Sequence, residues 1–311
     1  MTMMQCGSSL LGVVLTTVFL TGCQTDHTSS AQTARYLGAD ITGATAGAAT
    51  PKRCRVPAPE FLALAQKTAA GGCPADMVQL GAYCIDRYEA TLVELGPGGQ
   101  AREHSPYERP NEGRRYAARS LPNKFPQAYV SRVDAEAACA AAGKRLCSVN
   151  EWYDACRGSA ATTYPYGERY RSGACNVGKA HLLSRYYGSN PRAWKYKEHF
   201  NNPMLNQQPG FLAQTGAYEG CQSDQGVHDM VGNVHEWVSD QVDSELAAKL
   251  AAESGISLRR GLRKGRGIFM GGFYSTTNQH GTGCNFVTIG HEPQYHDYST
   301  GFRCCRDADA N

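Results

Sequence analysis

The sequence predicts a loop-rich α+β domain with little regular secondary structure, and three observations carry that expectation. The 311-residue chain holds 34 glycines and 17 tyrosines, a composition that favours irregular backbone over a helical bundle. Strand-like segments lie at both ends of the body of the chain and bracket two short capped helices. From Arg157 onward, about seventy residues show no sustained helical or strand period, and a stretch of that length needs disulfides or metal to hold it in a compact domain.

In chain order, an uncharged polar start, Met1 to Ser9, precedes the apolar run Leu10 to Leu20 and then Leu20-Thr21-Gly22-Cys23. That pattern reads as a lipoprotein signal over 1–22 with lipid attachment at Cys23, since the run is too short to span a bilayer and a small residue precedes the cysteine. Gln24 in place of an acid resembles outer-membrane sorting, which places the protein on that membrane, facing the periplasm. Residues 23–70 are rich in Ala, Thr, Gly and Ser and read as a flexible tether, with one short helix around Glu60 to Thr68. The folded domain is expected over 71–307.

Export sets the reading of the cysteines. Of 13, Cys6 lies in the signal and Cys23 carries lipid, so eleven remain, and in an oxidising compartment they form a disulfide framework with one left over. Cys54, isolated in the tether, is that one. Net charge is +3 with acids and bases interleaved, which gives no footprint for nucleic acid.

Within the domain, Met77 to Thr91 predicts two strands joined at Gly81-Ala82. Residues 95–127, dense in Gly, Pro, Arg and Asn, read as an extended surface loop. Ser131 caps a helix running to about Ala142, ended by Gly143, and Ser148 with Glu151 forms a capping box that starts a second through Trp152 and Cys156. Glu245 to Glu253 reads as a helix, followed by a basic cluster of Arg259, Arg260, Arg263, Lys264 and Arg266. Ile268 to Tyr274 and Thr300 to Cys305 read as strands.

The stretch Gly226 to Asp240 fits neither period. Asp229 and Glu236 offer carboxylate oxygens, and Gly232-Asn233 lets the backbone turn so that carbonyls converge, a pattern suited to calcium. The other reading is a tight turn with a carboxylate cap and Trp237 in the core.

Five motifs then fall in register: Ala142-Gly143-Lys144-Arg145-Leu146 with Glu151-Trp152, Tyr164-Pro165-Tyr166-Gly167, Asp229 to Val234 with Glu236-Trp237, Gly271-Gly272, and Gly301-Phe302-Arg303. Together they resemble the formylglycine-generating enzyme (sulfatase-modifying factor) family over roughly residues 73 to 306. The resemblance implies that family's variant of the C-type lectin fold. It implies disulfides Cys139–Cys304 and Cys156–Cys284, to which proximity adds Cys73–Cys84, Cys175–Cys221 and Cys147–Cys305. It further implies a structural calcium held by the side chains of Asp229 and Glu236 and the carbonyls of Gly232 and Val234, with Asn176 and Val177 matching part of a second site.

Active family members use two cysteines, five positions apart, that bind copper and oxidise a substrate cysteine. Those places here fall near Thr276 and Gly281, neither of which can act as a thiolate ligand, so no copper is expected. The resulting expectation is a non-catalytic pseudoenzyme, lipid-anchored in the envelope, whose domain binds a protein, peptide or glycan, with an envelope or secretion-system protein as the leading partner and no nucleic acid. The alternative is a metal-dependent, oxidase-like enzyme of altered chemistry using His280, His291 and His296.

Overall fold

The structure is a computed structural model. It describes residues 56–57, 72–255, 264–277 and 280–309, all within the second of two compact units, Arg53–Asn311. The expected signal, the segment around Glu60 to Thr68, and Cys6, Cys23 and Cys54 lie outside them, as do Arg259, Arg260 and Arg263; of the expected tether only Val56–Pro57 are described, and they pair as a short strand with Gln100 and Ala101.

Three four-stranded sheets form the frame. The first has the order β1 (Val56–Pro57), β5 (Gln100–Glu103), β4 (Ala90–Leu95) and β6 (Arg115–Ser120). The second runs β2 (Met77–Leu80), β3 (Tyr83–Asp86), β12 (Cys304–Asp307) and β7 (Arg145–Leu146). The third runs β10 (Val287–His291), β9 (Gly267–Met270), β8 (His235–Gln241) and β11 (Thr300–Phe302), with β11 parallel to β8. The chain passes from the third sheet into the second at Arg303, the single residue between β11 and β12.

Helices α1 (Arg132–Ala141) and α2 (Val149–Arg157) start at capping boxes. The Ser131 hydroxyl accepts from the Asp134 N–H at 3.1 Å, and the Ser148 N–H donates to Glu151 at 2.8 Å, which satisfies amides that a helix start leaves open. α2 buries Val149, Trp152, Tyr153 and Cys156, spaced to share one face, and that face lies in a core cluster with Met230, Ile268 and Val287. Trp237, Phe269 and Phe302 anchor a second cluster under α1. Tyr129, Tyr274, Tyr298 and Leu182 form a third beneath the irregular segment, where α3 (Leu182–Tyr187) lies.

Three sequence expectations change in detail. Residues 95–127 are not one loop, because β5 and β6 occupy part of them. β6 buries five consecutive residues, Tyr116 to Ser120, so it lacks the alternation by which a strand is recognised. The strand expected over Ile268 to Tyr274 stops at Met270, since Gly271 and Gly272 adopt φ of 80° and 78°. A Cβ on Gly271 would meet the Met230 carbonyl at 2.6 Å. The helix expected at Glu245 to Glu253 is α4 (Ser244–Ser254), capped by the Asp243 carboxylate, which accepts from the Leu246 N–H at 2.8 Å.

Candidate functional site

The stretch Gly226 to Asp240 is a loop leading into β8, and neighbours pin it from several sides. The Asp229 N–H donates to the Cys221 carbonyl at 2.9 Å, the Gly232 N–H to Gly271 at 2.9 Å, and the Asn233 N–H to Asn176 at 2.9 Å. Asp229, Gly232 and Asn233 take φ of 58°, 87° and 59°, values that Asp and Asn tolerate better than most residues. Gly232 is required, since a Cβ there would meet the Asn176 carbonyl at 2.3 Å.

This loop surrounds a buried polar centre in which a residue the sequence reading missed, Glu89, is the hub. Its Oε2 accepts from the Asn233 side-chain amide at 2.7 Å and its Oε1 from the Val234 N–H at 3.3 Å. Asn233 in turn accepts from the Asn176 side-chain amide at 2.8 Å. Glu89 lies just ahead of β4, where its alternation with Tyr88 and Ala90 disguises it as a strand residue. Burial, then repulsion from Asp229 and Glu236, holds its carboxyl well above the usual range. Burial likewise pushes Asp229 up to about 6, against the Gly216 N–H bonded to its Oδ2 at 2.6 Å.

Glu236 stands differently. Its Oε1 accepts from Arg303 Nη2 at 2.7 Å, and its Oε2 accepts from Arg303 Nε at 2.7 Å and from the Trp152 indole at 2.7 Å. Arg303 also donates to the carbonyls of Asp86 and His228 at 3.0 and 2.8 Å. The carboxylate expected to ligate calcium is thus already committed to a guanidinium and an indole.

A hard cation fits part of this set. Three buried carboxylates, Glu89, Asp229 and Glu236, cluster around the Arg303 guanidinium, and the buried Asn176 Oδ1 has no hydrogen-bond partner among the described residues. Asp229 and Asn176 supply oxygen donors of the kind calcium takes, and Glu236 Oε1, which among the described residues accepts only from Arg303, keeps a second lone pair. Among the described residues, no three His, Cys, Asp or Glu side chains converge as metal ligands.

All ten cysteines between Cys73 and Cys305 are joined in five disulfides: Cys73–Cys84, Cys139–Cys304, Cys147–Cys305, Cys156–Cys284 and Cys175–Cys221. The adjacent Cys304 and Cys305 reach opposite faces of β12, so one strand takes both α1 and the segment ahead of α2. At the two places where active relatives carry thiols, the Thr276 hydroxyl accepts from the Phe273 N–H at 2.6 Å. Gly281 has φ of 102°, and a Cβ on it would meet the Asn285 carbonyl at 2.2 Å.

The candidate histidines do not assemble. Phe286 lies 5.7 Å from His280 and 5.3 Å from His235, while Phe269 lies 4.6 Å from His235 and 5.2 Å from His291, by ring centroids. Each of these phenyl rings packs against two of the imidazoles. His296 belongs to another neighbourhood, where its Nδ1 meets Asn201 at 2.7 Å and its ring packs on Tyr196. His235, which stands in the motif stretch where relatives usually carry an aromatic, is buried and not at the surface, and its Nδ1 has no partner among the described residues. Burial, then the neighbouring His291 and His280, holds its pKa well below the usual value.

The sulfatase-modifying factor enzyme 1-like domain family matches residues 41–308. Among curated proteins, the chain is 32% identical over 119 residues to inactive C-alpha-formylglycine-generating enzyme 2 of Bos taurus, covering 38% of this chain and 34% of that protein. It is 30% identical over 117 residues to the same protein of Mus musculus, covering 37% and 32%. The chain matches about a third of the length of these relatives. Solved structures similar to it include PvdO from Pseudomonas aeruginosa, with a TM-score of 0.42, 18% identity and coverage of 72% of this chain and 80% of that one. CarF gives a TM-score of 0.41 with 16% identity, covering 73% and 87%. With its motifs in register and its frame of short sheets and long loops, the chain belongs to the sulfatase-modifying factor enzyme 1-like domain family, whose variant of the C-type lectin fold it adopts.

Proposed function

We propose that the domain is a non-catalytic recognition module, lipid-anchored through Cys23 to the outer membrane on its periplasmic side, that binds a protein, peptide or glycan of the envelope. The observation that carries the non-catalytic part is the state of the oxidase locus. Thr276 holds a backbone turn, Gly281 stands where no side chain fits, and the nearby Cys284 is bonded to Cys156. A two-thiolate copper site has no ligands there. Similarity to relatives described as inactive supports the same reading.

Calcium in this reading is structural. The side chains of Asp229 and Glu236 and the carbonyls of Gly232 and Val234 would hold it, with Asn176 and Val177 contributing to a second site, and its charge would offset the carboxylates buried around Glu89. The residues themselves already shape the loop, so the ion stabilises the scaffold that presents the binding surface.

Two measurements test the proposal. Elemental analysis of purified protein is expected to give calcium and no stoichiometric copper, iron or zinc; a bound transition metal lost on His280→Ala or His291→Ala would replace recognition with catalysis. Pull-down from solubilised envelopes is expected to enrich one partner over a control domain of similar charge, and failure to enrich any protein, peptide or glycan would sink the recognition reading.

A further inference from the structure

Although the whole chain carries a net charge of +3, its charges are not evenly spread. Between Glu168 and Glu219 the sequence holds seven basic residues (Arg169, Arg171, Lys179, Arg185, Arg192, Lys195 and Lys197) and a single acid, Glu198. That one carboxylate is taken by Lys195 at 2.9 Å. Arg185, Arg192 and Lys197 are exposed, and none meets a carboxylate among the described residues.

The same span is where apolar surface is exposed. Of five large hydrophobic side chains exposed among the described residues, four lie in it: Tyr170, Tyr186, Tyr196 and Met204. Three of these share one neighbourhood with the cations. The Tyr187 ring stacks on His199 at 3.8 Å and ties α3 to the turn carrying Tyr196 and Lys197. His181 stacks on Trp194 at 5.1 Å, close to Arg192. The Tyr186 hydroxyl donates to Gln208 at 2.5 Å, and Gln208 donates to the Met204 carbonyl at 2.9 Å.

An ordinary solvated face interleaves both signs of charge and keeps large apolar groups covered. Cations in large excess over acids, mixed with tyrosine, tryptophan and methionine, form instead the composition that suits the boundary between headgroups and acyl chains. We propose that this surface seats the domain on an anionic phospholipid bilayer, with Arg185, Arg192 and Lys197 against headgroup phosphates and Tyr186, Tyr196 and Met204 in the interfacial layer. The aromatic and thioether groups favour a lipid surface over an acidic protein or a nucleic acid, for which the cations alone would serve. The inference is independent of how the domain recognises its partner, because it uses none of the residues around Glu89 or Thr276.

The test uses the full chain with Cys23→Ser, so that no acyl chain tethers it, and measures co-sedimentation with phosphatidylcholine vesicles and with equal mixtures of phosphatidylglycerol and phosphatidylcholine. Binding to the anionic vesicles is expected to exceed binding to the neutral ones and to fall as salt shortens the Debye length. The variant Arg185→Glu/Arg192→Glu/Lys197→Glu is expected to lose roughly a hundredfold of that binding. Tyr186→Ser/Met204→Ser is expected to lose about tenfold and keep the salt dependence. Thermal unfolding of each variant reports whether the fold is intact. Undiminished partition of the folded charge-reversed chain overturns the proposal, and so does a patch-dependent affinity for heparin or DNA with none for anionic vesicles.

Discussion

Arg303 and Glu236 form a bidentate ion pair with both side chains 1% exposed, at the residue where the chain crosses from the third sheet to the second. Removing one partner leaves the other charged and buried, which costs about 3–5 kcal/mol. Arg303→Met is therefore expected to lower the urea midpoint strongly. Arg303→Lys is expected to do nearly as badly, since an ammonium cannot reproduce the fork that also reaches the carbonyls of Asp86 and His228. Equilibrium urea unfolding of the two variants checks both.

Cys139–Cys304 spans 165 residues of sequence. In the chain-entropy treatment, a loop that long stabilises by about 5 kcal/mol, an upper figure because the unfolded chain keeps some structure. Cys139→Ala/Cys304→Ala should lose several kcal/mol and Cys73→Ala/Cys84→Ala distinctly less, since that bridge spans 11 residues. Peptide mapping without reduction should link Cys139 to Cys304 and to no other cysteine.

Asp229 and Glu89 both carry carboxyl groups raised by burial. A carboxyl whose folded pKa is raised keeps its proton longer in the folded state than in the unfolded one. The stability it contributes is full below about pH 4 and is lost as pH climbs to about 6, the folded value for Asp229. In chelator, the melting temperature is expected to fall over that interval. Calcium should restore it, and most at the higher pH, where the ligands are ionised. A melting temperature that rises through the same window in chelator in the His235→Phe variant, which removes the opposing imidazole titration, would contradict the buried-carboxyl account.

His235 has the opposite sign. Its imidazole is held neutral by burial, so protonation of the unfolded chain below about pH 6.5 withdraws stability as pH falls. With Nδ1 unpartnered and three phenyl rings around it, His235→Phe is expected to be neutral or to stabilise by about 1 kcal/mol. The gain should grow toward pH 5, measured by denaturant unfolding at several pH values.

Restoring thiols should fail. Thr276→Cys/Gly281→Cys is expected to bind no Cu(I) and to fold less stably, because Gly281 holds φ of 102° against the Asn285 carbonyl. Stoichiometric Cu(I) binding in a colorimetric competition assay would show that the locus is latent and not lost.

Much of the frame was legible from local chemistry. Ser131 and Ser148 announce their helices because a cap is written in a few adjacent residues, and the strands ahead of Arg87 pair across the turn at Gly81. What escaped depends on distance in sequence. Glu89 becomes a hub only when Asn233 and Val234 return to it from more than a hundred residues away. The fate of Glu236 likewise waits on Arg303, and nothing beside either residue signals the pair. Spacing along the chain likewise does not reveal that Phe269 and Phe286 pack against His235, His280 and His291 while His296 lies beside Asn201 and Tyr196.

The neighbouring cysteines of β12 also set a timetable. Cys139 and Cys147 are synthesised more than 150 residues before their partners Cys304 and Cys305, so both must wait as thiols while Cys156, Cys175 and Cys221 emerge around them. In the exported chain proposed above, Cys139 and Cys147 would spend that wait with only wrong partners in reach. On that proposal, correct oxidation would come at the end of delivery or by reshuffling afterward, and a disulfide isomerase is expected to raise the yield of the native pairing.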